Sequence, residues 1–414
     1  MPRKILSAAV AFFVFGGARA DATEFLEWAN RTLSIQSSDK TFDVQLSGFV
    51  DLEGYFIDQR APGLIFTDDS FLFNPRLTVF TDIRWTRHVY VFGQFRLDRG
   101  FDPSDHSAEV RADEYFFRYT PLDNSGINFQ FGKFATVVGS WVQRHYSWDN
   151  PFINAPLPYE NVTGIWDSAA AADVDTLLYW GHVGEYDTGD YSDKYLRLPI
   201  IWGPSYASGF SVFGTVDNFD YAAEIKNASL SSRPEEWDLT ARGFHDPTVS
   251  TRVGFRPNAM WDLGISASSG SYLMGEAVPT LRRRAGLSDY CEHVLGQDIS
   301  FAWHHIQLWS EFYEARFKIP GVGDADTFAY YVEAKYKITP QLFGALRWNQ
   351  QLFGTVRDDD EQVKWDNDVW RVDAALGYRF TNYLQAKLQY SFTHQDAGIQ
   401  VGEQLVAAQL TLKF

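Results

Sequence analysis

The sequence predicts an all-β fold: a transmembrane antiparallel β-barrel of about sixteen strands, with a long inward-folded constriction loop. Three observations point there. Apolar and polar residues alternate in runs of about ten along most of the chain, so each run has one apolar and one polar face. The connections between runs alternate between short and long. Aromatic residues make up 17% of the chain, while no stretch after residue 20 reaches the roughly 20 consecutive apolar residues of a spanning helix. That aromatic excess suits interfacial girdles of Trp and Tyr.

The chain opens with Met1-Pro2-Arg3-Lys4, a mostly apolar run over 5–15 and Gly16-Gly17-Ala18-Arg19-Ala20. These are the parts of a cleaved secretory signal peptide, expected over 1–20, and Asp21 in place of a Cys suggests no lipid anchor. Cleavage removes three basic residues and no acids, taking the formal charge from −17 to −20. So acidic a chain lacks the basic footprint that nucleic acid requires. Residues 21–41 read as a periplasmic N-terminal segment with a short helix over 23–32, leaving 42–414 for the barrel. The single Cys291 excludes an intrachain disulfide framework and a multi-thiolate metal site.

Strands are expected at 42–57, 76–85, 89–98, 110–119 and 127–134, then at 208–216, 221–228, 249–257, 261–269, 293–303, 306–317, 328–338 and 342–353. Three more follow in 369–414, where Leu384, Ala386, Leu388, Tyr390 and Phe392 alternate with Gln385, Lys387, Gln389, Ser391 and Thr393. Two ambiguous patches, 174–180 and 195–202, are assigned to the long loop 135–207, because counting them as strands breaks the short–long order.

With these features in place the chain resembles a Gram-negative outer-membrane porin. The closing Val406-x-Ala408-x-Leu410-x-Leu412-x-Phe414 is similar to the C-terminal strand by which such barrels are recognised for assembly. Gln130-Phe131-Gly132-Lys133-Phe134, leading into a long loop, resembles the phosphate-selective O/P type. That resemblance implies sixteen strands, a homotrimer and a lumen that guides anions with basic side chains. The loop itself offers Arg144, Lys194 and Arg197 rather than a lysine cluster, a departure from that pattern.

The loop 135–207 is far longer than ordinary connections, and its aromatic residues are costly to leave in water. We expect it inside the barrel, with Trp141, Arg144, His145, Trp148, Asp149, Tyr159 and Glu160 at the constriction. Parity places Arg76, Arg84, Arg96, Arg118, Glu333, Lys335, Arg347, Arg371, Arg379 and Lys387 on the lumen wall as pore-lining residues. The basic residues lean towards anions, and the acidic run Asp358-Asp359-Asp360-Glu361 leans the other way at the entrance.

The expected function is passive diffusion of small hydrophilic solutes or ions across the outer membrane, in contact with its lipid and lipopolysaccharide. No cofactor is expected, and no enzyme: the nine histidines are scattered and no acid–base constellation stands out. The competing reading is a structural barrel, a sleeve or scaffold for a periplasmic or surface partner.

Overall fold

The computed structural model describes residues 33–414 apart from 59–63, 66, 68, 101–106, 124, 187–193, 195 and 397–400. The expected signal peptide and the short helix over 23–32 lie outside the described residues. Among the described residues no helix is long and apolar enough to cross a membrane.

Sixteen strands close on themselves. After a short β1 (Ser34–Gln36) come β2 (Phe42–Ile57), β3 (Phe71–Trp85), β4 (Val89–Asp98), β5 (Glu109–Tyr119) and β6 (Asn128–Lys133). The long loop follows, then β7 (Ser208–Val216), β8 (Phe219–Lys226), β9 (Thr248–Asn258), β10 (Trp261–Ser271), β11 (Cys291–Trp303), β12 (Ile306–Ile319), β13 (Gly323–Lys337) and β14 (Leu342–Phe353). A hairpin of β15 (Thr355–Asp358) and β16 (Glu361–Lys364) precedes β17 (Val369–Arg379), β18 (Leu384–Gln395) and β19 (Val401–Lys413). Each barrel strand pairs antiparallel with its neighbours along the chain, and β19 pairs with β2 to close the ring. Closure leaves no open edge in the sheet.

The seam is built from both ends of the chain. Phe414 exchanges backbone hydrogen bonds with Gly48 at 3.0 Å in each direction, and β1 pairs with the rest of β2 beyond that point. Gly48 is required there: a Cβ would lie 2.3 Å from the Thr78 carbonyl oxygen and 2.6 Å from the Phe414 ring.

Alternation sorts the side chains as parity predicts. On β2, Asp51, Glu53 and Tyr55 are buried inside while Leu52 and Phe56 point out. The outer face carries an aromatic belt at each end. Trp85, Trp303, Tyr336 and Tyr378 are exposed near the short turns. Phe56–Phe71, Phe312–Tyr330 and stacked Trp348–Trp370 stand nearer the long loops.

Several expectations needed correction. β3 begins at Phe71 rather than 76 and β13 at Gly323 rather than 328. At the long-loop ends, polar residues such as Asp324 and Asp326 stand on the outer face, so the ladder continues where the apolar alternation has stopped. The patch at 174–180 belongs to a helix, α1 (Val174–Tyr186). The long connection 354–367 holds the β15–β16 hairpin.

Candidate pore constriction

The loop between β6 and β7 turns into the lumen and lies against the inner wall of β12–β14 and β17–β18. Gly132 has φ +140° where β6 ends, and Gly139 has φ +77° where the loop meets the wall. A Cβ on Gly139 would sit 2.1 Å from the Tyr313 hydroxyl and 2.4 Å from that of Tyr159, so this approach needs glycine.

Directly beneath, Glu311 collects donors from the loop. Its carboxylate accepts hydrogen bonds from the Ser140 backbone N–H (2.5 Å) and hydroxyl (2.9 Å) and from the Trp141 backbone N–H (2.7 Å). The Tyr159 hydroxyl donates to it as well, at 2.7 Å. A charged acceptor aimed at adjacent backbone N–H groups is a strong anchor.

A row of buried charges continues along the wall. Arg144 donates to Glu333 at 2.7 Å, and its guanidinium lies 4.4 Å from the Trp309 ring centre. Arg347 bridges Glu333 (3.6 Å) and Asp373 (2.8 Å) and donates to the Asn154 side chain at 2.7 Å. Arg371 pairs with Asp373 at 3.1 Å and with Glu160 of the loop. Lys387 donates to the carbonyls of Ser147, Asn150 and Phe152 at 2.9, 3.0 and 2.9 Å. Buried charges persist only when paired and hydrogen-bonded in this way.

Four of the expected pore-lining residues are therefore corrected. Glu333, Arg347, Arg371 and Lys387 face the lumen but lie under the loop, with the Arg347 side chain 0% exposed. They bind the loop and are covered by it. Arg76 and Arg96 line the cavity beside the loop, on the opposite wall, with side chains 22% and 18% exposed. Arg84, Arg118, Lys335 and Arg379 stand nearer the short-turn end. Arg118 hydrogen-bonds Gln130 and lies over Tyr90, Phe116 and Phe213. Lys335 lies over Phe343 and Arg84 pairs with Asp43.

The loop residues named from sequence divide similarly. Trp141 and Tyr159 pack together at 4.6 Å in a buried cluster, and Glu160 is drawn to Arg371. The His145 imidazole donates from Nδ1 to the Val142 carbonyl and accepts from the Tyr206 hydroxyl at 2.7 Å. Burial pushes its pKa down to about 4, so it is neutral in this arrangement. Trp148 packs on Phe49 and Phe80 and is flanked by Arg379 and Lys413, while Asp149 is exposed.

The wall opposite the loop, on β2–β5, carries ion pairs: Arg76 with Asp51 (3.2 Å) and Glu53 (2.6 Å), Arg96 with Asp113 (3.1 Å), and Arg111 with Asp98 (2.9 Å). Asp113 and Glu114 are adjacent yet both buried in the lumen, because the register shifts between Gln94 and Phe95 and leaves Asp113 as the extra residue of a bulge. Strict parity puts only one of that pair inside, so Asp113 was missed. Between this wall and the loop lies a cavity of about 190 Å³, lined by Arg76, Arg96 and Asp113 on one side and by Trp141, His145 and Asn154 on the other.

Other loops converge on the outer part of the long one. Arg233 binds Asp167 at 2.6 Å, Asp366 accepts from the Gly164 backbone N–H at 2.6 Å, and Met274 donates its backbone N–H to the Asp167 carbonyl. A shared core of Ile165, Leu177, Leu198, Tyr272, Tyr290 and Trp365 forms a cap over one side of the mouth.

Solved structures with the same architecture include outer-membrane proteins and an anion-selective porin. Salmonella typhi OmpF, solved with daunomycin, aligns with TM-score 0.57 at 12% identity, covering 92% of this chain and all of that one. An anion-selective porin from Comamonas acidovorans aligns at 0.55 and 10% identity, covering 90% of this chain and 100% of that one. The likeness is one of fold. A trimer form of Vibrio cholerae OmpT, folded in vitro, aligns at 0.53 and 12% identity, covering 90% of this chain and 100% of that one. No protein-family profile and no curated protein sequence matches the chain.

Proposed function

We propose that this barrel is an outer-membrane porin, a passive diffusion channel for small hydrophilic solutes. The observation that carries the reading is the asymmetry of the lumen. The long loop is pinned to one wall by Glu311, Arg347, Arg371 and Lys387, and the space it leaves lies against the charged wall of β2–β5. A fixed loop that narrows a barrel and leaves a gap beside the charged wall is what a size-selective channel needs. The anion-selective porin and the OmpT trimer form with this fold favour the same class and a homotrimer for this chain. We assign it no catalytic role and no cofactor; its outer belts suit lipid and lipopolysaccharide.

We assign an anion lean to the short-turn mouth. Lys335, Arg379 and Lys413 stand around Phe343 and Trp148 there, and none of the three forms an ion pair among the described residues. The constriction wall, by contrast, matches its arginines with carboxylates. Single-channel recording in planar bilayers under a salt gradient tests both statements. Stepwise conductance with an anion-selective reversal potential is expected. Replacing Lys335, Arg379 and Lys413 with Gln should move that potential towards the cation side. Folded protein that gives no conductance steps would return the cap of packed loops to the structural-barrel reading.

A further inference from the structure

The barrel wall is low where the long loop leaves it. β6 has six residues, against the roughly 9–11 of a strand that crosses a bilayer, and beyond Lys133 the chain turns into the lumen. Outside, a later part of the chain stands above β6: the connection between β8 and β9. Parity settles its place. Phe117, Phe131 and Phe210 face outward on β5, β6 and β7, so Tyr115, Lys133 and Ser208, two positions nearer the long loops, face outward too. All three reach the same segment. Ser208 donates its backbone N–H (2.9 Å) and its hydroxyl (2.8 Å) to the Trp237 carbonyl. Lys133 pairs with Asp238 at 3.0 Å, and the Tyr115 hydroxyl meets the same carboxylate. The Asn227 amide clamps the crossing, donating to the Glu236 and Asp238 carbonyls at 2.9 and 3.0 Å. The Trp237 ring itself is buried with Trp202 and Tyr206 on the lumen side. The chain thus crosses the rim between Trp237 and Asp238 and continues on the outer side.

Two features identify what this strap meets. Just below Lys133 and Ser208 runs an unbroken cross-strand row, Phe117, Phe131, Phe210, Ile225 and Val249, each 38–58% exposed. The strap adds Leu239 and Phe244, 44% and 42% exposed, around a single helical turn (Leu239–Arg242) that Gly243 ends with φ +64°. The apolar belt is therefore continued where β6 stops short. Lys133 would otherwise stand bare at the top of that row, and a charge on the lipid face destabilises a barrel. Asp238 covers it, leaving the lysine side chain 8% exposed. Resting on the outer-membrane reading above, we propose that Asp238–Phe244 is a lipid-contacting strap that completes the wall above β6. Leu239 and Phe244 sit among the acyl chains of the outer leaflet.

The test places a bimane label at position 244 (Phe244→Cys in a Cys291→Ser background) and reconstitutes the full chain in phosphatidylcholine vesicles. Matching labels report lipid at Val253→Cys, on the outer face of β9, and water at Asp360→Cys, at the tip of the β15–β16 hairpin. Nitroxide-labelled lipid should quench position 244 as it quenches 253. Iodide on both sides of the membrane should quench 244 several-fold less than 360. Iodide quenching at the level of 360 overturns the proposal by placing the strap in water. Protection from both quenchers overturns it as well, because a second copy then covers the strap. The labelled proteins are checked for folding by circular dichroism; should Phe244→Cys not fold, Leu239→Cys takes its place. Failure at 244 with lipid quenching at 253 sinks the strap alone. Failure at 253 refutes the membrane barrel along with it, and neither result depends on conductance.

Discussion

Glu311 shows how much of the constriction rests on a single carboxylate. It accepts from two adjacent backbone N–H groups and from the Ser140 and Tyr159 hydroxyls. Glu311→Gln keeps the shape but replaces a charged acceptor with an amide that also brings N–H donors to the same cluster. We expect a loss of about 1.5–3 kcal/mol, the range for hydrogen bonds to charged groups, read as a lower midpoint in denaturant unfolding in detergent. Single channels of the variant should also flicker, because the loop start is freed. Strand parity puts Glu311 in the lumen, yet nothing local to it signals the loop some 170 residues away. The same blindness explains Arg347, Arg371 and Lys387. Alternation tells which face a side chain takes, and only the folded loop decides whether that face is wet.

Among the elements, the cap of loops is where pH acts. Burial raises the Asp167 pKa to about 7 despite Arg233, and that of Asp366 to about 6. A raised carboxyl binds its proton more tightly in the folded cap than in the open chain. Its contribution is therefore complete below the ordinary carboxylate value and is lost as pH rises through about 7 and 6. His145, lower in the loop, runs the other way: its pKa falls to about 4, so its contribution is present above the ordinary imidazole value and lost as pH drops towards 4. We expect amide-exchange protection of the cap, corrected for intrinsic rates, to fall as pH rises from about 4 to about 7. In Asp167→Asn that fall should be reduced; an unchanged slope would show that Asp167 does not titrate there. The helix α1 in this cap escaped the sequence reading. Val174–Tyr186 has only a weak amphipathic pattern, and it is fixed by neighbours: a Cβ at Gly181 would lie 2.0 Å from the Trp365 carbonyl oxygen.

For the whole molecule, the strand series was legible because an apolar outer face and a polar inner face impose one parity on every strand. It blurred where that pressure ends, at the extended starts of β3 and β13, and where the bulge at Asp113 breaks the period of two. Removing residues 140–200 should raise single-channel conductance severalfold, since the loop fills the side of the lumen it covers. An unchanged conductance would mean that ions travel by a route the loop does not narrow. The deletion also strips the cover from Glu311, Glu333, Arg347, Asp373, Arg371 and Lys387, so selectivity should change along with size.

The seam between β2 and β19 has a kinetic consequence. Every other barrel pair joins strands that follow one another around the ring, the β6–β7 pair across the long loop being the widest, whereas Glu53 meets Gln409 across almost the full described chain. Loop-closure entropy sets contacts of that span late, so the ring is completed after most of its staves are laid. Until then β2 and β19 present bare backbone to whatever strand is near. The Phe414–Gly48 clasp and the added β1 strand lie at that last joint. A weakened clasp would show first as slow, aggregation-prone refolding, well before any change in the finished barrel.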